Sequence, residues 1–292
     1  MKLRIHLVDL PRWFGAPAII AASVLGSLLA HAPLLPMLLA TLSGLFLMCY
    51  SHSANTFLDF YWTKLDQGET GERSNPKPYT SGQQLLASGA ITKGENIGNM
   101  IFWVILSAIP LIWLPRIAII PWALILPMTF WYSWAKLHWH PELPLGLGFG
   151  TFSVWLGFSA SGNIDWIRGG LASLPLFWAF GVLAEHADQA RDFRENWPKG
   201  ARSWGMASAR AGTMGFTLVL ILALTYVSQA IVVNVGILAR ESLLSLTALP
   251  LALVAIVKLH KAITTTGLIL GLGAIFLFEV LMVVGQAIGG RL

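Results

Sequence analysis

The chain has 292 residues, of which 55% are hydrophobic and 11% are charged, and its mean hydropathy is +0.67. Soluble domains carry about 25% charged residues, so this composition excludes a cytosolic enzyme, a nucleic-acid-binding domain and a disordered chain. It is typical of a polytopic membrane protein that sits in the lipid bilayer. We expect one integral-membrane domain over residues 1–292, without nucleic acid as a partner.

Nine apolar segments follow one another along the chain, and each is long enough to cross a bilayer as a helix. Their predicted bounds are 14–34, 36–54, 99–116, 118–135, 145–162, 168–186, 209–234, 242–258 and 265–288. The apolar runs are continuous rather than alternating, which favours helices over barrel strands. The predicted fold is therefore all-α, a single bundle of about nine transmembrane helices.

Basic residues are divided unequally between the two faces of this bundle. Fifteen of the 19 lysines and arginines fall on the side of the N-terminus, and four fall on the other side. Because lysine and arginine collect on the cytoplasmic side of membrane proteins, we expect the N-terminus to be cytoplasmic, in a prokaryotic plasma membrane. The single cysteine, Cys49, excludes an intramolecular disulfide.

Two polar segments, residues 55–98 and 187–208, follow the second and sixth spans and lie on the same predicted side. With their flanks they contain nine of the 14 acidic residues: Asp59, Asp66, Glu69, Glu72, Glu95, Glu185, Asp188, Asp192 and Glu195. Each segment begins with acidic residues and continues into basic ones. This weak internal repeat predicts two half-sites that face each other in a cytoplasmic cap.

The acidic residues have the spacing of metal ligands. Asn55 and Asp59, like Asp188 and Asp192, are four residues apart and share a face on a helix. Mg²⁺ is usually held by one or two carboxylates while substrate phosphates complete its shell. The candidate ligands are Asn55, Asp59, Asp66, Asp188 and Asp192. The candidate phosphate-binding bases are Arg73, Lys77, Arg191, Lys199 and Arg202.

An alternative interpretation treats these residues as solvated loop charges, helix caps and topogenic bases. Two similar clusters on the same side make that interpretation the weaker one. The sequence contains no glycine-rich phosphate loop, so a nucleotide is a poor candidate for the ligand.

The two clusters continue into ordered polar elements. The first reads Asn55-Thr56-x-x-Asp59, Asp66, Arg73, Asn75-Pro76-Lys77-Pro78 and Ser81-Gly82, and the second reads Asp188-x-x-x-Asp192 and Lys199-Gly-Ala-Arg202-Ser203. Their order and spacing resemble the UbiA superfamily of intramembrane prenyltransferases, which has nine helices. Tyr132-Ser133 with Lys136-Leu137 is similar to a further family segment, and Gly89-Ala90-Ile91-Thr92 is similar to its menaquinone-type branch. Three features depart from the family pattern. Thr56 and Asn196 stand where many members have Asp, and Asp66 lies seven residues after Asp59 rather than four.

The resemblance implies a function and roles for individual residues. The function is Mg²⁺-dependent transfer of a polyprenyl group from an isoprenoid diphosphate to a small acceptor, most simply an aromatic quinone precursor. The residues implied in catalysis are Asp59, Asp192, Lys136 and Tyr132, and those implied in substrate binding are Asn55, Arg73, Lys77, Arg191, Lys199 and Arg202. Candidate aromatic residues for stabilising an allyl cation are Phe57, Phe60 and Tyr132.

Two other functions stay open at this point. A secondary transporter of an anionic substrate is one, but transporters place polar residues near the midplane, where only Glu279 is expected here. A terpene cyclase or diphosphate hydrolase of the same fold is the other. The acceptor is also open between naphthoate, hydroxybenzoate, homogentisate, a glycerol phosphate lipid and a tetrapyrrole.

Overall fold

The computed structural model describes residues 2–67, 83–162, 165–261 and 264–290. All regular secondary structure in these ranges is helical, which confirms the all-α prediction. The nine long helices are α1 (Ile5–Leu29), α2 (Leu34–Tyr61), α3 (Lys93–Trp113), α4 (Arg116–Ala135), α5 (146–159), α6 (Trp166–Arg191), α7 (Met214–Asn234), α8 (Arg240–His260) and α9 (Thr265–Gly289).

Eight of these helices are long and apolar enough to cross a membrane, as judged on the described residues, and the chain is an integral membrane protein. The exception is α5, which is shorter and follows a single helical turn, Glu142–Leu145. This helix packs between α1, α4 and α6. The described ranges thus contain nine long helices, with α5 packed among its neighbours.

Two predicted loop boundaries are wrong. The second helix extends to Tyr61 and the sixth extends to Arg191, so the predicted loops at 55–98 and 187–208 begin inside helices. Asn55 and Asp59 therefore lie in the last two turns of α2, and Asp188 lies in the last turn of α6. The last turns of both helices contain polar side chains that face a polar cavity. A hydropathy pattern does not recognise such turns as part of a membrane helix, so the predicted helices end too early.

Helices α1 and α5 cross so closely that their backbones are in contact. A Cβ atom at Gly26 would overlap the carbonyl oxygen of Val154, and one at Gly157 would overlap that of Ser23. The Ser27 hydroxyl donates to the Gly157 carbonyl at 3.1 Å. Only glycine permits this approach, which places α5 at the centre of the bundle, while α1 also packs against α9.

A cap lies over one end of the bundle and is formed by residues 62–67 after α2 and residues 192–210 after α6. The second part contains the short helices Phe193–Asn196 and Trp204–Arg210. Leu65 packs with Ala201 and Met206, and the Lys199 ammonium donates to the Leu65 carbonyl at 2.5 Å. The segments after α2 and α6 therefore meet, as the internal repeat predicted.

Candidate active site

One wall of a cavity beneath the cap is formed by the end of α2. His52, Asn55 and Asp59 line it with the spacing i, i+3, i+7, which places them on one helix face. Asp66 lines the same cavity from the first part of the cap. Asn55, Asp59 and Asp66 are all buried, so this wall brings the first predicted cluster together away from bulk water.

The opposite wall is formed by the end of α6 and repeats that spacing. Glu185, Asp188 and Asp192 stand at i, i+3, i+7 and line the same cavity, together with Gln189. All five candidate metal ligands of the sequence thus surround one cavity. Four helices, α3 to α6, lead from the first wall to the second. The chain returns to the same end of the bundle only after an even number of crossings, so α5 must cross the bundle as its neighbours do.

Lys136, directly after α4, lies between the two walls. Its ammonium is 2.5 Å from Asp59 Oδ2 and 3.1 Å from Asn55 Oδ1, and it lies 4.3 Å from the centre of the Tyr132 ring. Burial acts against the charged ammonium, but the combined attraction of Asp59, Asp66 and Glu185 outweighs it, so the pKa of Lys136 is raised above its ordinary value. The predicted Lys136 and Tyr132 therefore belong to the site.

Tyr132 connects α4 to α6. Its hydroxyl donates to Glu185 Oε1 at 2.8 Å, and the Gln189 amide donates to the same oxygen at 2.6 Å. Sequence reasoning counted Glu185 among the acidic residues but gave it no role in the site. Its position three residues before Asp188 was the signal that it shares the same helix face.

The predicted phosphate-binding bases are placed differently from the acids. The Arg191 guanidinium lies 2.9 Å from Asp188 and 2.7 Å from Asp192, so it offsets part of the negative charge of the α6 wall. Arg202 packs its guanidinium 4.1 Å from the Trp197 ring, and its backbone N–H donates to the Lys136 carbonyl at 2.6 Å. Arg191, Lys199 and Arg202 do not line the cavity. Arg73 and Lys77 lie outside the described residues.

The cavity becomes apolar below its polar end. Phe149 and Phe180 stack in it with ring centres 5.1 Å apart. Further apolar lining residues are Ile19, Met48, Ile125, Met128 and Leu272. Of the aromatic residues predicted to stabilise a cation, Tyr132 lines the cavity, whereas Phe57 and Phe60 instead pack on Tyr61. The cavity is therefore amphipathic, with acids and amides at one end and rings and aliphatic side chains below.

The donor chemistry at the polar end fits Mg²⁺. The cavity offers carboxylate and amide oxygens, and the buried Asp59 Oδ1 has no hydrogen-bond partner among the residues that the structure describes. Among the described residues, no three carboxylate, histidine or cysteine side chains gather closely enough to hold a metal alone. Mg²⁺ commonly uses one or two carboxylates and completes its octahedral shell with water and substrate phosphate, so two separated walls suit a metal that arrives with a diphosphate.

Two buried residues support the cap from outside the cavity. His186 Nε2 lies 2.9 Å from both the Ser208 and the Thr217 hydroxyl groups. The Gly205 N–H donates to Glu142 Oε1 at 3.0 Å, and burial raises the pKa of Glu142 to about 8. These contacts tie the second part of the cap to the start of α5 and to α7.

Comparison with known proteins identifies the architecture. No protein-family model and no curated protein matches the chain. Solved structures match it over nearly its full length. A UbiA homologue from Aeropyrum pernix K1 has a TM-score of 0.71 and 14% identity, over 94% of this chain and 97% of that one. The chain has the UbiA fold.

Two further structures share the UbiA fold. A UbiA homologue from Archaeoglobus fulgidus, bound to DMAPP and Mg²⁺, has a TM-score of 0.64 and 14% identity, over 95% of this chain and 98% of that one. A digeranylgeranylglyceryl phosphate synthase has a TM-score of 0.63 and 16% identity, over 98% of both chains. The two polar motifs resemble this family in sequence, and the whole chain resembles its solved structures in fold.

Proposed function

We propose that the protein is a membrane prenyltransferase that moves a polyprenyl group from an isoprenoid diphosphate to a small acceptor. The observation that carries this proposal is the amphipathic cavity, in which Asp59 on α2 and Asp192 after α6 face one polar end above an apolar interior. A diphosphate attached to a hydrocarbon chain has the same division into a polar and an apolar part. The UbiA fold supports this assignment, since one protein that shares it binds DMAPP and Mg²⁺.

The metal is assigned to Asn55, Asp59 and Asp66 on one wall and to Asp188 and Asp192 on the other. Mg²⁺ held there would neutralise charge on the leaving diphosphate, which favours cleavage of the allylic C1–O bond. The carboxylates at this end are buried under the cap. Because charges interact more strongly away from bulk water, the cap strengthens these contacts.

Lys136 has two tasks in this mechanism. In the present structure its ammonium is bonded to Asn55 and Asp59, the residues assigned to the metal. It therefore holds the α2 wall in place without the metal, and it would become available to a phosphate oxygen if Asn55 and Asp59 held a divalent cation. The Tyr132 ring beside it presents a π face to positive charge in the same region.

The interior of the cavity holds the prenyl chain. Ile19, Met48, Phe149 and Phe180 surround it with apolar surface, so the chain is stabilised by burial along its length. The stacked rings of Phe149 and Phe180 also exclude water from the region below the carboxylates. Exclusion of water favours attack by the acceptor over hydrolysis of the allyl cation.

An aromatic quinone precursor is the proposed acceptor, on the strength of the sequence resemblance to the menaquinone-type branch. The N-terminus and both acidic motifs are assigned to the cytoplasm by the distribution of basic residues. A transporter of an anionic substrate would release no diphosphate, and a cyclase or hydrolase of the same fold would release it without forming a prenylated acceptor.

Purified full-length protein with geranylgeranyl diphosphate, Mg²⁺ and a panel of acceptors provides the test. The panel contains hydroxybenzoate, dihydroxynaphthoate, homogentisate and a glycerol phosphate lipid. Release of diphosphate with formation of a prenylated product, both abolished by EDTA, supports the transferase. Release of diphosphate with only a prenyl alcohol or a cyclic hydrocarbon as product contradicts it, as does folded protein that releases no diphosphate.

A further inference from the structure

Arg12 occupies a bent segment that precedes the regular part of α1. It follows the π-helical turns Ile5–Asp9, and its φ of 51° lies in the left-handed region, which non-glycine residues seldom adopt. The Trp13 indole N–H donates to the Leu7 carbonyl at 2.7 Å, and the adjacent Leu10 is fully buried. Strained backbone persists only where the surroundings hold it, and such strain is concentrated at functional sites.

This bend directs the Arg12 side chain into the cavity of the candidate active site. Arg12 is 9% exposed and lines the cavity together with Asn55 and Asp59. Its Nη2 donates to the Thr56 hydroxyl at 2.8 Å, whereas its buried Nε has no hydrogen-bond partner among the described residues. A buried guanidinium is costly unless its donors and its charge are satisfied, so this one is prepared for an anionic ligand.

The other cations near the site already have partners. Lys136 is paired with Asp59, and Arg191 is paired with Asp188 and Asp192. Within the described parts of the chain, no carboxylate forms an ion pair with Arg12, whose hydrogen bond goes to a neutral hydroxyl. The charge of Arg12 is therefore available to a ligand that enters the cavity.

We propose that Arg12 binds the diphosphate of the substrate directly, and that Thr56 positions its guanidinium. An aspartate at position 56 would pair with Arg12 and neutralise it, whereas threonine accepts one hydrogen bond and leaves the charge in place. A guanidinium offers paired N–H groups that match two phosphate oxygens. The N-terminal bend of α1 thus supplies a fixed positive charge beside Thr56, the position of the α2 wall where the sequence departs from the usual acidic motif. The identity of the ligand as a prenyl diphosphate rests on the proposed function, but the anion site itself does not.

The test uses inorganic pyrophosphate and EDTA, so that no metal contributes. We expect the wild-type protein to bind pyrophosphate, and Arg12→Gln to lower its affinity by about tenfold or more, the loss typical of a charge-assisted contact. Arg12→Lys keeps the charge but loses the paired donors, so its affinity falls between those two. Arg4→Gln is the matched control, because Arg4 lies in the same segment but its side chain is 75% exposed. Absence of wild-type binding, or equal affinity in Arg12→Gln, overturns the proposal.

Two further measurements separate anion binding from folding. Affinity for uncharged geranylgeraniol reports on the apolar cavity and should be the same in Arg12→Gln as in the wild type. Thr56→Asp leaves Arg12 in place but neutralises it, so we expect it also to lose metal-free pyrophosphate binding. Retention of that binding in Thr56→Asp contradicts the assignment. If the wild-type protein binds pyrophosphate but shows no prenyl transfer with any acceptor, the proposed function is overturned, whereas the anion site at Arg12 is not.

Discussion

The Lys136 ammonium lies 2.5 Å from Asp59 Oδ2, and the pair joins the end of α4 to the end of α2. Both side chains are buried. Lys136 thus offsets the charge of Asp59, one of the two carboxylates of the first acidic cluster, in the absence of a metal. If Asp59 holds a divalent cation, as proposed, Lys136 would lose this partner and its ammonium would be free to contact a phosphate oxygen, so metal binding and phosphate binding would be coupled through this one contact.

Replacing Lys136 with methionine, alone and together with Asp59→Asn, should separate its contribution to stability from its contribution to prenyl transfer. Lys136→Met leaves the buried Asp59 carboxylate without its partner, and breaking a buried ion pair typically costs about 3–5 kcal/mol of stability. Adding Asp59→Asn removes the uncompensated charge and should recover most of that loss. Prenyl transfer should stay absent in both variants. Thermal unfolding and donor turnover measured side by side provide the check, and a double variant that is no more stable than Lys136→Met would contradict this account.

A second prediction concerns pH and the cap. Burial raises the pKa of Glu142 from its ordinary 4.5 to about 8. A carboxyl group whose pKa is raised in the folded state stabilises the fold fully below 4.5, and this contribution is lost as the pH rises through about 8. The melting temperature should therefore fall over that interval. Glu142→Gln keeps the shape of the neutral group and should flatten the profile, whereas Glu195→Gln, elsewhere in the cap, should leave the slope as it is. Equal slopes for Glu142→Gln and the wild type would rule out this origin.

The sequence predicted the helices better than it predicted their ends. Continuous apolar runs gave eight of the spans, and the helical spacing of Asn55 with Asp59 and of Asp188 with Asp192 placed each pair on one face. Hydropathy failed at α2 and α6 because their last turns face a polar cavity and resemble a loop in composition. It also could not show that α5 owes its place to backbone contact at Gly26 and Gly157.

The candidate site was predicted in part, for equally physical reasons. Local spacing revealed the acids, but Arg12 reaches the same cavity through a left-handed bend that no local sequence pattern predicts. In the sequence it was only one of the 15 basic residues on the side of the N-terminus. The roles assigned to Lys199 and Arg202 remain predictions, since the structure uses both residues to hold the cap together.

The length of the donor chain should depend on Gly148 of α5. This residue lines the cavity, and a Cβ atom there would meet Met128 at an ordinary 3.6 Å. Gly148→Ala should therefore be tolerated, whereas Gly148→Val fills space that a long chain needs. Overpacking typically costs 1–3 kcal/mol, so kcat/KM for geranylgeranyl diphosphate should fall by about tenfold. Dimethylallyl diphosphate should be affected much less. Equal losses for both donors would place the chain elsewhere.

Mg²⁺-dependent release of diphosphate from a prenyl donor tests most directly whether the walls on α2 and α6 form one catalytic site. The rate is measured for the wild type, Asp59→Asn and Asp192→Asn, with Asp165→Asn as the control, because Asp165 is exposed at the start of α6 and asparagine also caps helices. We expect a loss of about 100-fold or more in each of the first two variants, as for removal of a major electrostatic contact, and wild-type turnover in the control. Wild-type rates in either Asp59→Asn or Asp192→Asn, in protein shown to be folded, would contradict it.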